Sequence, residues 1–214
     1  MTSATLIIVS CPCCEATFPS PMLRSTNTFG GQSTDFHSRA VGDDPLWYVL
    51  GTCPTCGFTD YTNKLERGVR LTEATKAKIW DEIAPQMQNR RPDVATQFVM
   101  AAQIAIWEHQ EASVIGNHFL RAAWCSRDQA QELEYRRMAC RYFEQALDEE
   151  RLSDKVWLNY TYLVGELYRR MGEPQVARGW FDKAIAYAES LDDPYADQLA
   201  ALARDQRDHP REKI

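Results

Sequence analysis

The sequence reads as a mostly α protein in which a small N-terminal β segment precedes stacked helical hairpins. Three observations lead there. Two cysteine pairs, Cys11-Pro12-Cys13-Cys14 and Cys53-Pro54-Thr55-Cys56-Gly57, lie far apart among short apolar runs. From about Thr72 the apolar period changes from 2 to 3.6. Finally, Tyr142-Phe143-Glu144-Gln145-Ala146-Leu147 matches Trp180-Phe181-Asp182-Lys183-Ala184-Ile185 position for position at an offset of 38. The expected organisation is a zinc-ribbon-like domain over 1–70 with a long inserted loop, then a tetratricopeptide-like helical domain over 71–214.

Within 1–70, Leu6–Val9 has the β-branched apolar character of a buried strand. Ala16–Phe18 is expected to return as a short strand that Pro19 and Pro21 end. Ser25–Asp44 is polar and carries Gly30-Gly31 and Gly42, a loop too long to be a simple connection. Leu46–Leu50 is expected as a strand entering the second cysteine pair, and Phe58–Tyr61 as the strand leaving it.

Thr72 suits a helix N-cap with Glu73 in the first turn, opening a helix to about Asn89 that Pro85 should kink or break. Pro92-Asp93 opens a second helix. Further segments are expected near 112–127, 129–149, 153–171, 174–190 and 194–207, followed by a frayed polar tail over His209–Ile214. A fixed repeat of this length means helical hairpins, because one hairpin cannot bury its apolar face alone. The later copy fits the tetratricopeptide pattern at Val164, Gly165, Tyr168, Gly172, Ala177, Phe181 and Ala184. Its earlier counterpart is degenerate, with Arg127 aligned to Gly165 and Ala130 to Tyr168.

Each cysteine pair gives a C-x2-C step, which places two sulfurs on one tight turn, as a tetrahedral zinc site needs. The expected ligands are Cys11, Cys14, Cys53 and Cys56, holding one structural Zn2+. Gly57 frees the backbone after the second pair, whereas Glu15 occupies the matching place after the first. Cys13 is left as a spare thiol, because pairing it with Cys11 or Cys14 closes too small a loop. Four thiolates fill the coordination sphere, so the site reads as structural. His37 is expected as a loop residue off the metal. Cys125 and Cys140 read as buried small hydrophobes.

The bulk numbers narrow the function classes. An apolar fraction of 44% with six Trp, nine Tyr and eight Phe belongs to a folded chain. A formal charge of −6 argues against nucleic acid or an anionic membrane as main partner. Residues 1–70 hold five Lys/Arg against six Asp/Glu, a poor footprint for nucleic-acid binding through the ribbon. No apolar run approaches the roughly 18 to 20 residues of a membrane span. The Leu6–Val9 run lacks a basic start and is far too short for a signal peptide. Seven cysteines without that signal favour metal over disulfides and place the chain in the cytoplasm.

No phosphate-binding glycine loop, G-x-S-x-G or H-E-x-x-H appears. His109 and His118, with Glu108 and Glu111, read as solvated faces, as do Arg90-Arg91, Arg136-Arg137 and Arg169-Arg170. A minority reading sets Arg169-Arg170 at a groove mouth facing an acidic partner. The groove-facing residues of the best repeat would be Asn159, Tyr162, Glu166 and Arg169. The leading expectation is therefore a non-enzymatic zinc-binding scaffold that presents this groove to a protein or peptide. The alternatives are a thiol-redox or other enzyme using Cys13 and the loop with Asp35, His37 and Arg39, or nucleic-acid binding through the ribbon.

The C-P-x-C start, Asp35-Phe36, and Pro45-Leu46-Trp47-Tyr48-Val49 running into Cys53-Pro54-Thr55-Cys56-Gly57-Phe58 resemble a bacterial family of uncharacterised proteins. That family pairs a zinc-ribbon-like segment with tetratricopeptide-like helices. The resemblance implies architecture over nearly the whole chain and no established activity. Glu15 and Cys13 depart from the family pattern without removing a ligand.

Overall fold

Two cysteine turns decide how the N-terminal strands are laid out. In the computed structural model, which describes residues 2–87 and 92–214, each turn closes one antiparallel pair. Strand β1 (Ser3–Ser10) pairs with β2 (Thr17–Ser25) across the first, and β3 (Leu50–Thr52) with β4 (Thr59–Tyr61) across the second.

Strand β2 does not stop at its prolines. Pro19 lies opposite Ile8 and Pro21 opposite Leu6. A proline cannot donate, so the hydrogen-bonded pairs are the alternate ones, Val9 with Phe18 and Ile7 with Ser20. Both missing N–H groups thus fall on the side away from β1, and the strand continues. Leu46–Leu50 also departs from expectation: Pro45–Tyr48 forms a 3-10 turn capped by the Asp44 side chain, and the strand begins only at Leu50. Pro45 at the first helical position favours the turn over the strand.

After β4 comes a short helix α1 (Thr62–Arg67), which the periodicity did not reveal. The next helix opens at Thr72, whose Oγ1 accepts from the Thr75 N–H at 3.2 Å. It runs as α2 (Glu73–Lys78), a π-helical stretch Ile79–Ile83 and α3 (Ala84–Met87). The irregularity expected from Pro85 takes this widened form, one way a helix absorbs a missing donor. The expected end at Asn89, and the pair Arg90-Arg91, lie outside the described residues.

The remaining helices are α4 (Val94–Trp107), α5 (Ala112–Cys125), α6 (Gln129–Glu149), α7 (Asp154–Arg170), α8 (Pro174–Ala188) and α9 (Pro194–Asp208). Each packs on the next. A close glycine–phenylalanine contact recurs between hairpin arms. A Cβ on Gly165 would stand 3.0 Å from the Phe181 ring, and one on Gly116 would stand 2.9 Å from the Phe143 ring. Gly116, not Arg127, therefore does the work of Gly165. The constant offset misaligned the first arms because Gly116 lies 27 residues before Phe143, whereas Gly165 lies only 16 before Phe181.

Apolar packing runs across residue 70. One cluster joins Val9, Phe18, Phe58 and the cysteines to Ile79, Ile83, Met100 and Ile104. The cysteine turns thus rest on the π-helical stretch and on α4.

Candidate metal centre

The two cysteine turns are the same local structure built twice. In the first, the Glu15 N–H donates to the Cys11 carbonyl at 3.0 Å and the Cys11 N–H to the Ala16 carbonyl at 2.9 Å. In the second, Gly57 donates to Cys53 and Cys53 to the Phe58 carbonyl, each at 2.9 Å. Both turns end on a left-handed residue, Glu15 at φ 61° and Gly57 at φ 77°. Glycine takes that conformation freely and glutamate does not. Glu15 therefore keeps the geometry its glycine counterpart has, at a local strain cost. Gly57 is further constrained because a Cβ there would come within 2.5 Å of Ile83.

Facing each other, the turns bring the sulfurs of Cys11, Cys14, Cys53 and Cys56 within 4.8 Å of one another. Cys11 Sγ lies 3.5 Å from Cys56 Sγ, and Cys14 Sγ lies 3.5 Å from Cys53 Sγ. These separations are far beyond a disulfide bond, of about 2 Å, and near the S···S spacing of about 3.8 Å that a tetrahedral tetrathiolate site implies. Cys11, Cys53 and Cys56 are buried and Cys14 is half-buried. Such a cluster can hold a metal ion, and the all-sulfur donor set fits a soft or borderline cation.

The sulfurs perturb one another strongly. Hydrogen bonding to Cys53 pushes the Cys11 thiol up to about 12, and bonds from Cys11 and Cys56 stabilise a thiolate at Cys53. Metal ligation requires cysteine thiolates, so any S–H protons in the cluster must leave on binding. A divalent cation would replace those protons.

Cys13 stays out of the cluster, with its Sγ 4.0 Å from the Lys76 carbonyl. Burial pushes its thiol up. Its sulfur packs with the apolar cluster of the cysteine turns, while Asp35 bonds Ser33 and Trp124 and His37 bonds Asp44.

Asp35 and His37 do other work. Loop 32–37 lies against α5 and α7, with Thr34, Asp35 and His37 buried. Tyr162 donates to the Thr34 carbonyl at 2.9 Å and stacks on Phe36 at 5.1 Å. Thr34 Oγ1 donates to Glu166 at 2.5 Å and accepts from Arg170 at 2.8 Å. Glu166 also accepts from Arg169 and Arg170 at 2.8 and 2.6 Å. Asp35 accepts from Ser33 and from the Trp124 indole, and lies 3.7 Å from Arg170. That guanidinium and these donors outweigh burial and hold the Asp35 carboxyl below its usual range. His37 stacks on Trp124 and bonds Asp44 at 2.9 Å.

The tail completes the cover and is not frayed. The Thr34 N–H donates to the Glu212 carbonyl, the Ile214 N–H donates to the Gln32 carbonyl, and the Glu212 side chain bridges Arg169 and Arg170. Of the four expected groove residues, Tyr162 and Glu166 are fully buried by the chain itself and Arg169 is engaged by Glu166 and Glu212. Asn159 alone reaches a remaining cleft of about 490 Å³, lined also by Phe36, Tyr195, Leu202 and Ile214, and it accepts from Tyr195. The groove expected to be open is therefore filled from within. A loop segment with polar flanks gives no sequence signal for such an insertion.

A second cavity, of about 530 Å³, is lined by His37, Arg39, Asp44, Trp47, Trp124, Cys125 and Arg127, among others. Burial pushes the Cys125 thiol up to about 12, so it offers no ready thiolate. His118 corrects another expectation. It is buried on α5, stacked 5.3 Å from Tyr61, with no partner for Nδ1 among the described residues.

A cluster of four cysteines that could hold a metal ion, beside a series of packed helices, defines the class of this mostly α protein. The chain belongs to the DUF2225 family, described as uncharacterized proteins conserved in bacteria, whose model matches residues 8–209. Neither a curated protein nor a solved structure matched it. No helix among the described residues is long and apolar enough to cross a membrane.

Proposed function

We propose that this protein is a non-enzymatic scaffold in which one structural Zn2+, held by Cys11, Cys14, Cys53 and Cys56, fixes a tetratricopeptide-like helical stack for a protein or peptide partner. The observation that carries the proposal is the meeting of four cysteine sulfurs within 4.8 Å, three of them on buried residues. Four thiolates complete a zinc tetrahedron and leave no position for water or substrate. Because loop 32–37 covers Tyr162 and Glu166, the partner surface is the cleft beside Asn159, Tyr195 and Leu202.

The enzyme alternative would use Cys13 with the loop of Asp35 and His37, of which His37 pairs with Asp44 at the 530 Å³ cavity. It has an imidazole there and no activated nucleophile, so the scaffold is preferred.

Native mass spectrometry with thiol titration tests the metal. The expected result is one zinc per chain, with only Cys13, Cys125 and Cys140 reacting in denaturant while the metal is retained, and four further thiols after chelation. Metal-free protein with seven titratable thiols would overturn it. The scaffold is tested by cross-linking in the native host, where Leu202→Glu should abolish a partner that the unaltered chain captures.

A further inference from the structure

The outer edge of β1 is an unpaired strand edge. β1 is bonded on one side only, to β2. Since the ladder to β2 uses Thr5, Ile7 and Val9, the N–H and C=O groups of Ala4, Leu6, Ile8 and Ser10 point away from it. No other hydrogen bond reaches them among the described residues. The side chains at these same positions leave the core. Leu6 and Ile8 are each 71% exposed, while Val9 on the opposite face is buried.

Isolated edges are normally protected by charge, proline or a bulge in the middle of the strand. Thr2–Ser10 carries no charged residue and no proline, and its irregularity lies at Ser3/Ala4, away from Leu6 and Ile8. An unprotected edge of this kind accepts a β-strand and little else, because only a strand supplies donors and acceptors at the same repeat.

We propose that β1 pairs antiparallel with β1 of a second copy of this chain, making a continuous four-stranded sheet β2-β1-β1-β2 across a two-fold axis. Residue parity fixes the register. The outward-bonding positions are even-numbered, so a symmetric pairing that uses them can set Leu6 opposite the partner's Ile8 and Ala4 opposite the partner's Ser10. Ile7 then faces its own copy at the axis. In that register the exposed Leu6 and Ile8 of both copies lie side by side on one face and cover one another. The sequence is thus complementary to itself along this edge, with apolar residues meeting at the centre and small ones at the ends.

The same geometry limits the assembly to two. The far edge of β2 presents Pro19 and Pro21, whose missing N–H groups fall on that side, so it cannot template a further strand. The dimer is closed rather than the start of a fibre.

The test is sedimentation equilibrium on the full zinc-loaded chain, with amide hydrogen exchange. The expected result is a monomer–dimer equilibrium, with Leu6 and Ile8 amides protected in proportion to the dimer fraction. Leu6→Pro removes an outward donor without touching the β2 ladder, as the natural prolines of β2 do, and should yield a folded monomer. Ile8→Lys should do the same by placing like charges beside the pairing edge. Wild-type protein that stays monomeric with unprotected Leu6 and Ile8 amides at the highest soluble concentration overturns the proposal. So does a dimer that survives both substitutions with its mass unchanged, or a ladder of open-ended oligomers.

Discussion

At the residue scale, the paired turns allow a direct comparison of two side chains in one backbone conformation. Glu15 and Gly57 both sit left-handed, at φ 61° and 77°. Glutamate carries a steric cost there of about 1 kcal/mol that glycine avoids. Glu15→Gly should therefore raise stability in urea unfolding by up to about that amount, reduced by the greater freedom glycine has in the unfolded chain. Gly57→Ala should lower it by several times more, because its Cβ would press on Ile83 and Met87 at 2.5 and 2.9 Å. Equal and small effects at both sites would show that the turns are not held in the conformations described. The four cysteines were legible because C-x2-C is a local geometric requirement. His118 was not, because its burial depends on Tyr61 and Phe98 arriving from other elements. That burial holds its imidazole down to about 3 from an ordinary value of 6.5. An unfolded chain takes up the proton near 6.5 and the folded chain only near 3. Its share of stability is complete above that window and falls as pH drops through it, by roughly 2 kcal/mol at about pH 5. His118→Phe should lack that slope, so the gap between the two proteins' urea midpoints should change as pH falls through the window, and a variant with an unchanged slope would mean the imidazole is hydrated.

At the scale of elements, the helices from α4 to α9 were legible almost to the residue because capping residues and prolines mark their starts. Asp93, Asp128 and Asp193 each accept from the first turn of the helix they open. The strands and the loop were harder. Pro19 and Pro21 are strand-breakers only if their N–H is needed, and that depends on which edge faces a partner. Loop 32–37 has no period at all, and its place is set by contacts far along the chain, such as Thr34 with Glu166. This loop covers the buried Tyr162 and Glu166 of α7. Removing the Thr34 hydroxyl would leave Glu166 and Arg170 each short of a buried partner, which costs about 1–3 kcal/mol. Thr34→Val should accordingly lower the urea midpoint and expose segment 25–44 to limited proteolysis, while the helical circular dichroism signal is kept. Resistance equal to the parent chain would mean that the loop is held by Phe36 and Trp124 alone.

At the scale of the whole molecule, the question is whether a metal held by the four cysteines would staple a separate small domain or the entire fold. A 70-residue segment with four strands has too little core to stand without a staple such as a bound metal. Its apolar side chains, however, do not close on themselves. Phe58, Phe18 and the cysteines pack against Ile79, Ile83, Met100 and Ile104, and loop 32–37 carries the N-terminal part onto α5 and α7. Metal affinity measured from the unfolded state is folding free energy, so its loss is felt by everything that shares the core. Chelation, or Cys53→Ser, should thus unfold the β segment together with α2, α3 and α4 and loosen loop 32–37 on α5 and α7. Helical signal should fall by more than the β segment and α1 can account for, and the midpoint of thermal unfolding should drop. The same loss should appear on acidification without chelator, because protons compete with the cation for the thiolates, so the stability the metal confers is present at neutral pH and lost as pH falls. Hydrogen exchange can resolve the extent. If amides of α4 keep their protection in the metal-free protein while those of β1 to β4 lose it, the helical stack stands on its own core, and the cysteines hold only the segment in which they lie.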